Sequence, residues 1–391
     1  MLEAAMHRRF TALPTRFRPF VHHRDTLPRA FMLTGPRGVG KTTYLLYHIQ
    51  NLMNTMGKRI LYLSADNPTF AGDSLYEIVS TIFLSGYSGV VVDEVHFARD
   101  WSIHLKALYD DFPQHSFWIS DSSSLRLRKG IGDISRRFVH IKMPLLSFRE
   151  FLFLEEGIET GVYNPFQPSG DLPIQPTAAV LSAFRTYQRV GTRPFYREGD
   201  FSSRMFTVLD KTLYHDIPFF LPSITENNLR LMKAITATLA KASIPRLEVR
   251  SLCNDWGIGA EKLYQLLEVM EDVELLRIIR KERDHKARTV GEKLFFSDPA
   301  FYMVLGGNIG NVREAMVSMV LANAGYDVEA SHDETKGDFV ISRVEDTQHK
   351  PIRIEVGGRS KDPKGADFVI SDSLDYPSGN RIPLWLLGMM Y

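Results

Sequence analysis

Cysteine is almost absent from this chain of 391 residues, which contains only Cys253. A single cysteine excludes an intrachain disulfide and a zinc cluster built on several thiolates, and it is typical of a reducing compartment. No apolar run reaches the roughly 20 residues that a membrane helix needs, and the first residues lack the apolar segment of a signal peptide. We therefore expect a soluble, cytoplasmic protein with no membrane partner.

An excess of charge of one sign is also lacking. The 47 Lys and Arg residues are balanced by 46 Asp and Glu, so the net charge indicates no partner. The start of the chain is nevertheless basic and its end acidic, which favours separate modules. The length exceeds one ordinary hydrophobic core and predicts two to four domains.

Short apolar runs alternate with helix-like segments after residue 28. The runs predicted as strands are Ala30–Leu33, Ile60–Ser64, Gly89–Val92, Ser116–Ser120 and Phe138–Ile141. This alternation predicts an α/β domain with a parallel sheet that is covered by helices on both faces. After Pro144 the strand pattern stops, and a helical lid is predicted from residue 147.

A glycine-rich segment follows the first predicted strand and fits the P-loop pattern G-x-x-x-x-G-K-[ST]. Its residues, with the next threonine, are Gly35, Pro36, Arg37, Gly38, Val39, Gly40, Lys41, Thr42 and Thr43. In such a loop, backbone N–H groups and a helix N-terminus face the phosphates of a nucleotide. We expect Lys41 to reach the β- and γ-phosphates and Thr42 to bind Mg²⁺, so ATP and Mg²⁺ are the predicted cofactors.

Two carboxylates end the apolar run Val90–Val92. A buried parallel strand would carry Asp93 and Glu94 to the edge of the sheet where ligands of open α/β sheets bind. Asp93 is expected to join Thr42 in holding Mg²⁺, and Glu94 to act as the general base toward water. His96 is expected to be an ordinary residue of a loop or of a helix start.

Three further residues are candidates for catalysis. Ser120 is expected either to contact the γ-phosphate or the attacking water, or to cap a helix. Arg136 and Arg137 open the last predicted strand. One of them is either an arginine finger for a neighbouring subunit, which would require a homo-oligomer such as a ring or a smaller assembly, or part of a surface charge pair.

The run Met143–Leu152 resembles the P-L-S-F-x-E-F-L segment of a large group of prokaryotic AAA-type ATPases. The P-loop, the run Val92–His96 with Trp101 nearby, and the turn Asp121–Ser123 are similar to the other motifs of that group. Asp121 departs from its usual glycine. The resemblance implies a P-loop ATPase core, a C-terminal winged helix, and a domain related to PD-(D/E)XK nucleases.

These patterns divide the chain into five predicted segments. They are a basic N-terminal arm (1–28), the ATPase core (29–146), a helical lid (147–223), a winged helix-turn-helix (224–300) and a PD-(D/E)XK-like domain (301–391). The predicted winged helix has a basic hairpin with Arg277, Arg280, Lys281, Arg283, Lys286 and Arg288. The hairpin either contacts a DNA backbone or is a solvated part of a protein-docking module.

The nuclease-like resemblance extends to three acidic residues. Glu314 lies on a predicted helix, while Asp338 and Glu355 lie at predicted strands, which is the layout of a divalent-metal site. The position of the usual lysine is occupied by Gly357. We therefore expect a catalytically inactive or binding module.

The leading functional prediction is an ATPase that couples hydrolysis of ATP to a conformational change on nucleic acid. One alternative is a slow ATP-dependent switch or scaffold that binds a protein partner. The other is a metal-dependent nuclease gated by ATP.

Overall fold

The computed structural model describes residues 2–24, 26–68, 72–121, 134–168, 170–246, 248–282, 293–343, 350–358, 363 and 365–391. The chain forms two compact units, Met1–Leu145 and Leu146–Tyr391. Among the described residues, none of the helices combines the length and the apolar character required to cross a bilayer.

The first unit is built on a five-stranded parallel sheet. Its strands are β1 (Ala30–Thr34), β2 (Ile60–Ser64), β3 (Gly89–Asp93), β4 (Ser116–Asp121) and β5 (Val139–Lys142), in the order β2-β3-β4-β1-β5. Every residue of β1 and of β3 is buried, as expected of central strands covered on both faces. The predicted α/β fold with a parallel sheet is confirmed.

Within the described part of this unit, the sheet is accompanied by the helices α1 (Leu2–Thr11), α2 (Lys41–Met56), α3 (Leu75–Leu84) and α4 (Trp101–Asp111). The segment predicted as an N-terminal arm thus contains α1, which packs against β2 and α2. Met6 is buried, and Glu3 accepts hydrogen bonds from Arg59 and Tyr87. These contacts make α1 an integral part of the first unit.

The second unit begins with helices. They are α5 (Phe148–Glu156), α6 (Ala178–Val190), α7 (Phe201–Lys211), α8 (Ile217–Phe220), α9 (Glu226–Lys241), α10 (Val249–Trp256) and α11 (Ala260–Asp272). A π-helical turn, Thr212–Asp216, joins α7 to α8. It ends two residues before Pro218, whose missing N–H interrupts regular helical bonding.

A hairpin and a five-stranded sheet complete the second unit. The strands are β6 (Leu276–Ile279), β7 (Lys293–Phe296), β8 (Tyr326–Ala330), β9 (Phe339–Arg343), β10 (Ile352–Gly357), β11 (Phe368–Ser371) and β12 (Arg381–Pro383). The remaining helices are α12 (Ala300–Leu305), α13 (Ile309–Asn323) and α14 (Leu384–Leu387). The sheet order is β12-β11-β10-β9-β8; β8, β9 and β10 pair antiparallel, and β10, β11 and β12 pair parallel.

The parts of the second unit are bonded to one another. The backbone of Ala330 at the end of β8 pairs with that of Arg280 and Glu282, next to β6. The carboxylate of Glu282 also accepts a hydrogen bond from Arg353. These hydrogen bonds therefore hold the β6–β7 hairpin against the C-terminal sheet.

The apolar end of the chain is buried within the second unit. Its carbonyl at Gly388 accepts a hydrogen bond from the N–H of Phe148, the first residue of α5. Helix α5 starts with a capping box between Ser147 and Glu150, which satisfies its first N–H groups. The start of α5, within the segment that carries the family-like P-L-S-F-x-E-F-L pattern, therefore binds the end of the chain.

Candidate nucleotide site

The carboxyl ends of β1, β3 and β4 place the predicted motifs side by side. The P-loop follows β1, Asp93 ends β3, and Asp121 ends β4. Thr34 pairs with Asp121 across the β1–β4 register, so the P-loop starts beside the end of β4. Parallel pairing brings three distant segments to one edge, which is where ligands of open α/β sheets bind.

Glycine geometry allows the P-loop to turn tightly. Gly38 and Gly40 have φ values of 76° and 100°, and L-residues with a side chain rarely adopt such values. Gly35 has a φ of 148°, and a Cβ atom there would lie 2.2 Å from the carbonyl oxygen of Met143. The first glycine is therefore required by a close backbone contact with the segment after β5.

Lys41 lies inside the loop. Its Nζ atom donates hydrogen bonds to the carbonyl oxygens of Gly35, at 2.7 Å, and Pro36, at 3.0 Å. Burial lowers the pKa of Lys41, and the nearby carboxylates of Glu94, Asp93 and Asp121 oppose that shift. A lysine in this position is suited to bind the anionic phosphates of a nucleotide.

Asp93 is the centre of a hydroxyl cluster. Its Oδ2 atom accepts hydrogen bonds from the Thr42 hydroxyl, at 2.7 Å, and the Tyr62 hydroxyl, at 2.6 Å. The hydroxyl of Ser120 donates to Oδ1 of Asp93. A carboxylate and a threonine hydroxyl in contact are hard oxygen ligands of the kind that Mg²⁺ prefers, so Thr42 and Asp93 fit the predicted role.

Glu94 follows with a left-handed backbone, at φ 51°. Burial raises the pKa of Glu94, and Lys41 opposes the rise. Its Oε2 atom lies 3.7 Å from Nδ1 of His96. A mostly buried glutamate with a raised pKa is a stronger base than an exposed one and is suited to accept a proton from water.

His96 and Asp121 form a buried pair beside Glu94, with 2.8 Å between Nδ1 of His96 and Oδ2 of Asp121. His96 lies in the short 3₁₀ helix Val95–Phe97, as expected of a loop or helix-start residue, and its ring is buried in this cluster. The only sequence signal was the string Asp93-Glu94-Val95-His96. The departure at Asp121 from the glycine of the resembling group supplies the carboxylate of this pair.

The other predicted P-loop residues lie where the pattern requires. Val39 is buried, and its carbonyl accepts a hydrogen bond of 3.0 Å from the guanidinium of Arg18. Arg37 lies close enough to Lys41 and Glu94 to affect their pKa values, and Thr43 is the third residue of α2. Arg18, from the predicted arm, thus contacts the backbone of the P-loop.

The arginine-finger candidates are both near the start of β5. Arg137 makes two hydrogen bonds to the carboxylate of Asp110, at 2.9 and 2.7 Å, which fits the surface charge pair among the two alternatives. Arg136 is exposed. The candidate role of either residue toward a neighbouring subunit stays a prediction.

A second charged cluster lies in the C-terminal unit. The Nζ atom of Lys293, on β7, is 2.6 Å from Oε2 of Glu314 and 2.9 Å from Oδ1 of Asp338. The other oxygen of Asp338 accepts the N–H of Val356, at 2.9 Å, next to the fully buried Glu355. The structure thus brings the three predicted acidic residues toward one region and adds a lysine that sequence reasoning missed.

Lys293 remains charged in this cluster. Burial alone would lower its pKa, but the carboxylates of Glu314 and Asp338 outweigh burial and raise it. The lysine lies far from Gly357 in sequence, and no local pattern connects β7 to the acidic residues. Only the three-dimensional structure reveals this pairing.

The predicted basic hairpin is only partly described. Arg280 is exposed, whereas burial lowers the pKa of Arg277. Lys281 pairs with Ala330 through its backbone. The predictions for Arg283, Lys286 and Arg288 lie outside the described residues.

Comparison with known proteins agrees with the character of the first unit. The family model described as an AAA domain matches residues 28–152. The matched residues contain all five strands of the first sheet and the P-loop, and the match supports the prediction of an AAA-type ATPase core. The winged helix and the nuclease-like domain stay predictions.

A relative that matches a longer part of the chain was also found. An uncharacterized protein of Methanocaldococcus jannaschii is 29% identical over 266 residues, which are 63% of this chain and 55% of the relative. The chain thus spans about half the length of that curated relative.

Two solved structures resemble the chain. A Walker-type ATPase of Pyrococcus abyssi has 16% identity and a TM-score of 0.39, covering 71% of this chain and 91% of its own. AMPPCP-bound DnaA from Aquifex aeolicus has 12% identity and a TM-score of 0.26, covering 64% and 84%.

Proposed function

We propose that this protein hydrolyses ATP in a Mg²⁺-dependent reaction and couples the reaction to a conformational change on nucleic acid. The observation that carries the proposal is the hydrogen bond between Thr42 and Asp93, at 2.7 Å. It joins the end of the P-loop to the end of β3, so phosphate-binding and acidic groups share one site.

Each residue has a distinct role in this proposal. Lys41 binds the β- and γ-phosphates, and the backbone N–H groups of the P-loop surround them. Thr42 and Asp93 hold Mg²⁺, which when bound neutralises charge on the phosphate oxygens. Ser120 fixes the second oxygen of Asp93.

Glu94 acts on the attacking water. Its carboxylate accepts a proton while the water oxygen forms a bond to the γ-phosphorus, and the bond from that phosphorus to the bridging oxygen of ADP breaks. The products are ADP and inorganic phosphate. The raised pKa of Glu94 favours proton acceptance, since a more basic carboxylate holds the proton better.

Support for nucleic acid as the partner comes from the second unit. Helices α9, α10 and α11 precede the β6–β7 hairpin, which is the element order of a winged helix-turn-helix. The exposed Arg280 directly follows β6, at the start of the connection to β7. If the partner is a protein instead, the rate of ATP hydrolysis should not change when DNA or RNA is added.

The test is steady-state ATP hydrolysis by the full chain with Mg²⁺, with and without single- and double-stranded DNA. Lys41→Ala supplies the blank. We expect DNA to raise the rate, and added salt to suppress the stimulation through counterion release. A rate equal to that of the blank would refute the ATPase activity. A real rate of hydrolysis that neither DNA nor RNA changes would favour a protein partner over nucleic acid.

Lys293 supports a second candidate function, a metal-dependent nuclease. Lys293 lies within hydrogen-bond distance of Glu314 and Asp338. It supplies the positively charged side chain that Gly357 lacks. The two carboxylates offer the hard oxygens that a divalent cation needs.

This candidate is tested by incubating the full chain with plasmid and linear DNA in Mg²⁺ or Mn²⁺. Cleavage that disappears in both Asp338→Ala and Lys293→Met would establish it. If the wild-type chain cleaves nothing, the cluster acts as a structural ion pair, in agreement with the expectation of an inactive module.

A further inference from the structure

Tyr62 connects β2 to the nucleotide site. Its ring is 5% exposed, and its hydroxyl donates to Oδ2 of Asp93 at 2.6 Å. Tyr62 pairs with Val91 in the β2–β3 register, two residues before Asp93. The hydrogen bond therefore joins two neighbouring strands through side chains at the ligand-binding edge.

Three hydroxyls determine the orientation of the Asp93 carboxylate. Thr42 and Tyr62 donate to Oδ2, and Ser120 donates to Oδ1. The Thr42 hydroxyl, a predicted ligand of Mg²⁺, would offer an oxygen lone pair to the cation while it donates its proton to Asp93. Tyr62 and Ser120 also hold the carboxylate in place, and neither of them is a predicted ligand of the cation.

The Tyr62 ring is supported from outside by α1. The guanidinium carbon of Arg9 lies 4.9 Å from the centre of the ring, within the range of a cation–π interaction. Helix α1 is itself fixed by the buried Met6 and by the pairing of Glu3 with Arg59. A continuous series of contacts thus runs from α1 through Tyr62 to Asp93.

We infer that Tyr62 is a positioning residue for Asp93, and that α1, through Arg9, helps to set the affinity of the nucleotide site for Mg²⁺. This inference rests on the proposed function, since it concerns how the ATP site acquires its cation. The N-terminal helix is then a part of the site, although it touches neither nucleotide nor metal.

The experiment separates metal binding from nucleotide binding. A fluorescent ATP analogue is titrated into the full chain in EDTA, and then at increasing Mg²⁺ concentrations. The variant is Tyr62→Phe, which keeps the ring. The matched control is Tyr76→Phe, which removes a tyrosine–aspartate hydrogen bond of 2.7 Å, to Asp111, on the surface of the same unit.

We expect Tyr62→Phe to raise the Mg²⁺ concentration at half-maximal binding roughly tenfold, because a hydrogen bond to a charged group is lost. Affinity in EDTA should stay within about twofold of wild type. Tyr76→Phe should resemble wild type in both titrations. A Tyr62→Phe midpoint equal to that of wild type, or an equal loss of affinity in EDTA and in Mg²⁺, overturns the inference.

Arg9→Ala provides a second variant at an exposed position, should Tyr62→Phe fold poorly. It should raise the Mg²⁺ midpoint roughly two- to threefold, as expected for loss of an exposed cation–π contact. If the Mg²⁺ midpoint of Arg9→Ala equals that of wild type, α1 has no role in setting the affinity for Mg²⁺. If the wild-type chain binds no nucleotide at all, the proposed function itself fails, which this design distinguishes from a failure of the positioning role.

Discussion

Thr42 and Asp93 stand 51 positions apart in sequence, yet their side chains share a hydrogen bond of 2.7 Å. The bond joins the first turn of α2 to the end of β3. Because both groups are oxygen ligands, their contact defines the point at which a Mg²⁺ ion bound to ATP would be held.

The first prediction concerns Thr42. Thr42→Ala removes one oxygen ligand, so we expect Mg²⁺-dependent ATP hydrolysis to fall by roughly tenfold or more, as for loss of an interaction with a charged group. Binding of the nucleotide in EDTA should persist. Steady-state rates and equilibrium titrations check this. Thr55→Ala, at the exposed far end of the same helix, serves as the control, and equal rates in the two variants would contradict the assignment.

Glu94 is the subject of the second prediction. Glu94→Gln keeps the shape of the side chain but cannot accept a proton, so turnover should fall by roughly 10²- to 10⁴-fold. ATP should still bind. A single-turnover assay with equilibrium binding measures both quantities. Glu77→Gln, on the exposed face of α3, should behave as wild type, and normal turnover in Glu94→Gln would end the assignment of the base.

His48 makes folding sensitive to acid. Burial lowers its pKa from 6.5 to about 4. Its Nε2 atom lacks a hydrogen-bond partner among the described residues. The unfolded chain therefore binds the proton more tightly, and stability is lost as pH falls from about 6.5 toward 4.

The contribution of His48 to this loss is about 3 kcal/mol at most. His48→Phe should make the free energy of unfolding less dependent on pH across this window, as measured by urea denaturation at several pH values. His7→Gln, at an exposed position, is the control. A pH dependence that is identical in wild type and His48→Phe would show that other groups account for acid sensitivity.

Lys293 carries the fourth prediction, which concerns stability. Lys293→Met leaves the carboxylates of Glu314 and Asp338 without their shared cation, and we expect a loss of about 3 kcal/mol in the free energy of unfolding. Glu314→Gln in the same chain should restore part of the loss, because it removes one of the repelling charges. A double-mutant cycle in urea measures this coupling; additive effects of the two substitutions would argue against the ion pair.

The nucleotide site could be predicted from sequence where its chemistry lies in contiguous segments. The P-loop residues and the pair Asp93 and Glu94 each form a short pattern, and each pattern sits between a strand and a helix. Tyr62 could not be predicted in this way. It contacts Asp93 across 31 positions, and on sequence it is one of several apolar or aromatic residues of a buried strand.

The elements that the sequence did not predict have weak local signals. Helix α1 precedes two prolines, Pro14 and Pro19, which favoured an irregular arm. Strands β11 and β12 contain only 4 and 3 residues, too few for an alternating pattern to emerge. Their places are set by pairing with β10, a tertiary effect that sequence periodicity does not record.

The contact of Gly35 with Met143 bears on the transfer of this loop to other scaffolds. The first glycine of the pattern accommodates the protein backbone after β5, while Gly38 and Gly40 allow the tight turn of the loop. If the loop were grafted onto another protein, the strand beside it would have to end at the same position relative to the loop. Otherwise no close backbone contact would require a glycine at the first position. A successful transfer would have to include both the P-loop and the end of β5.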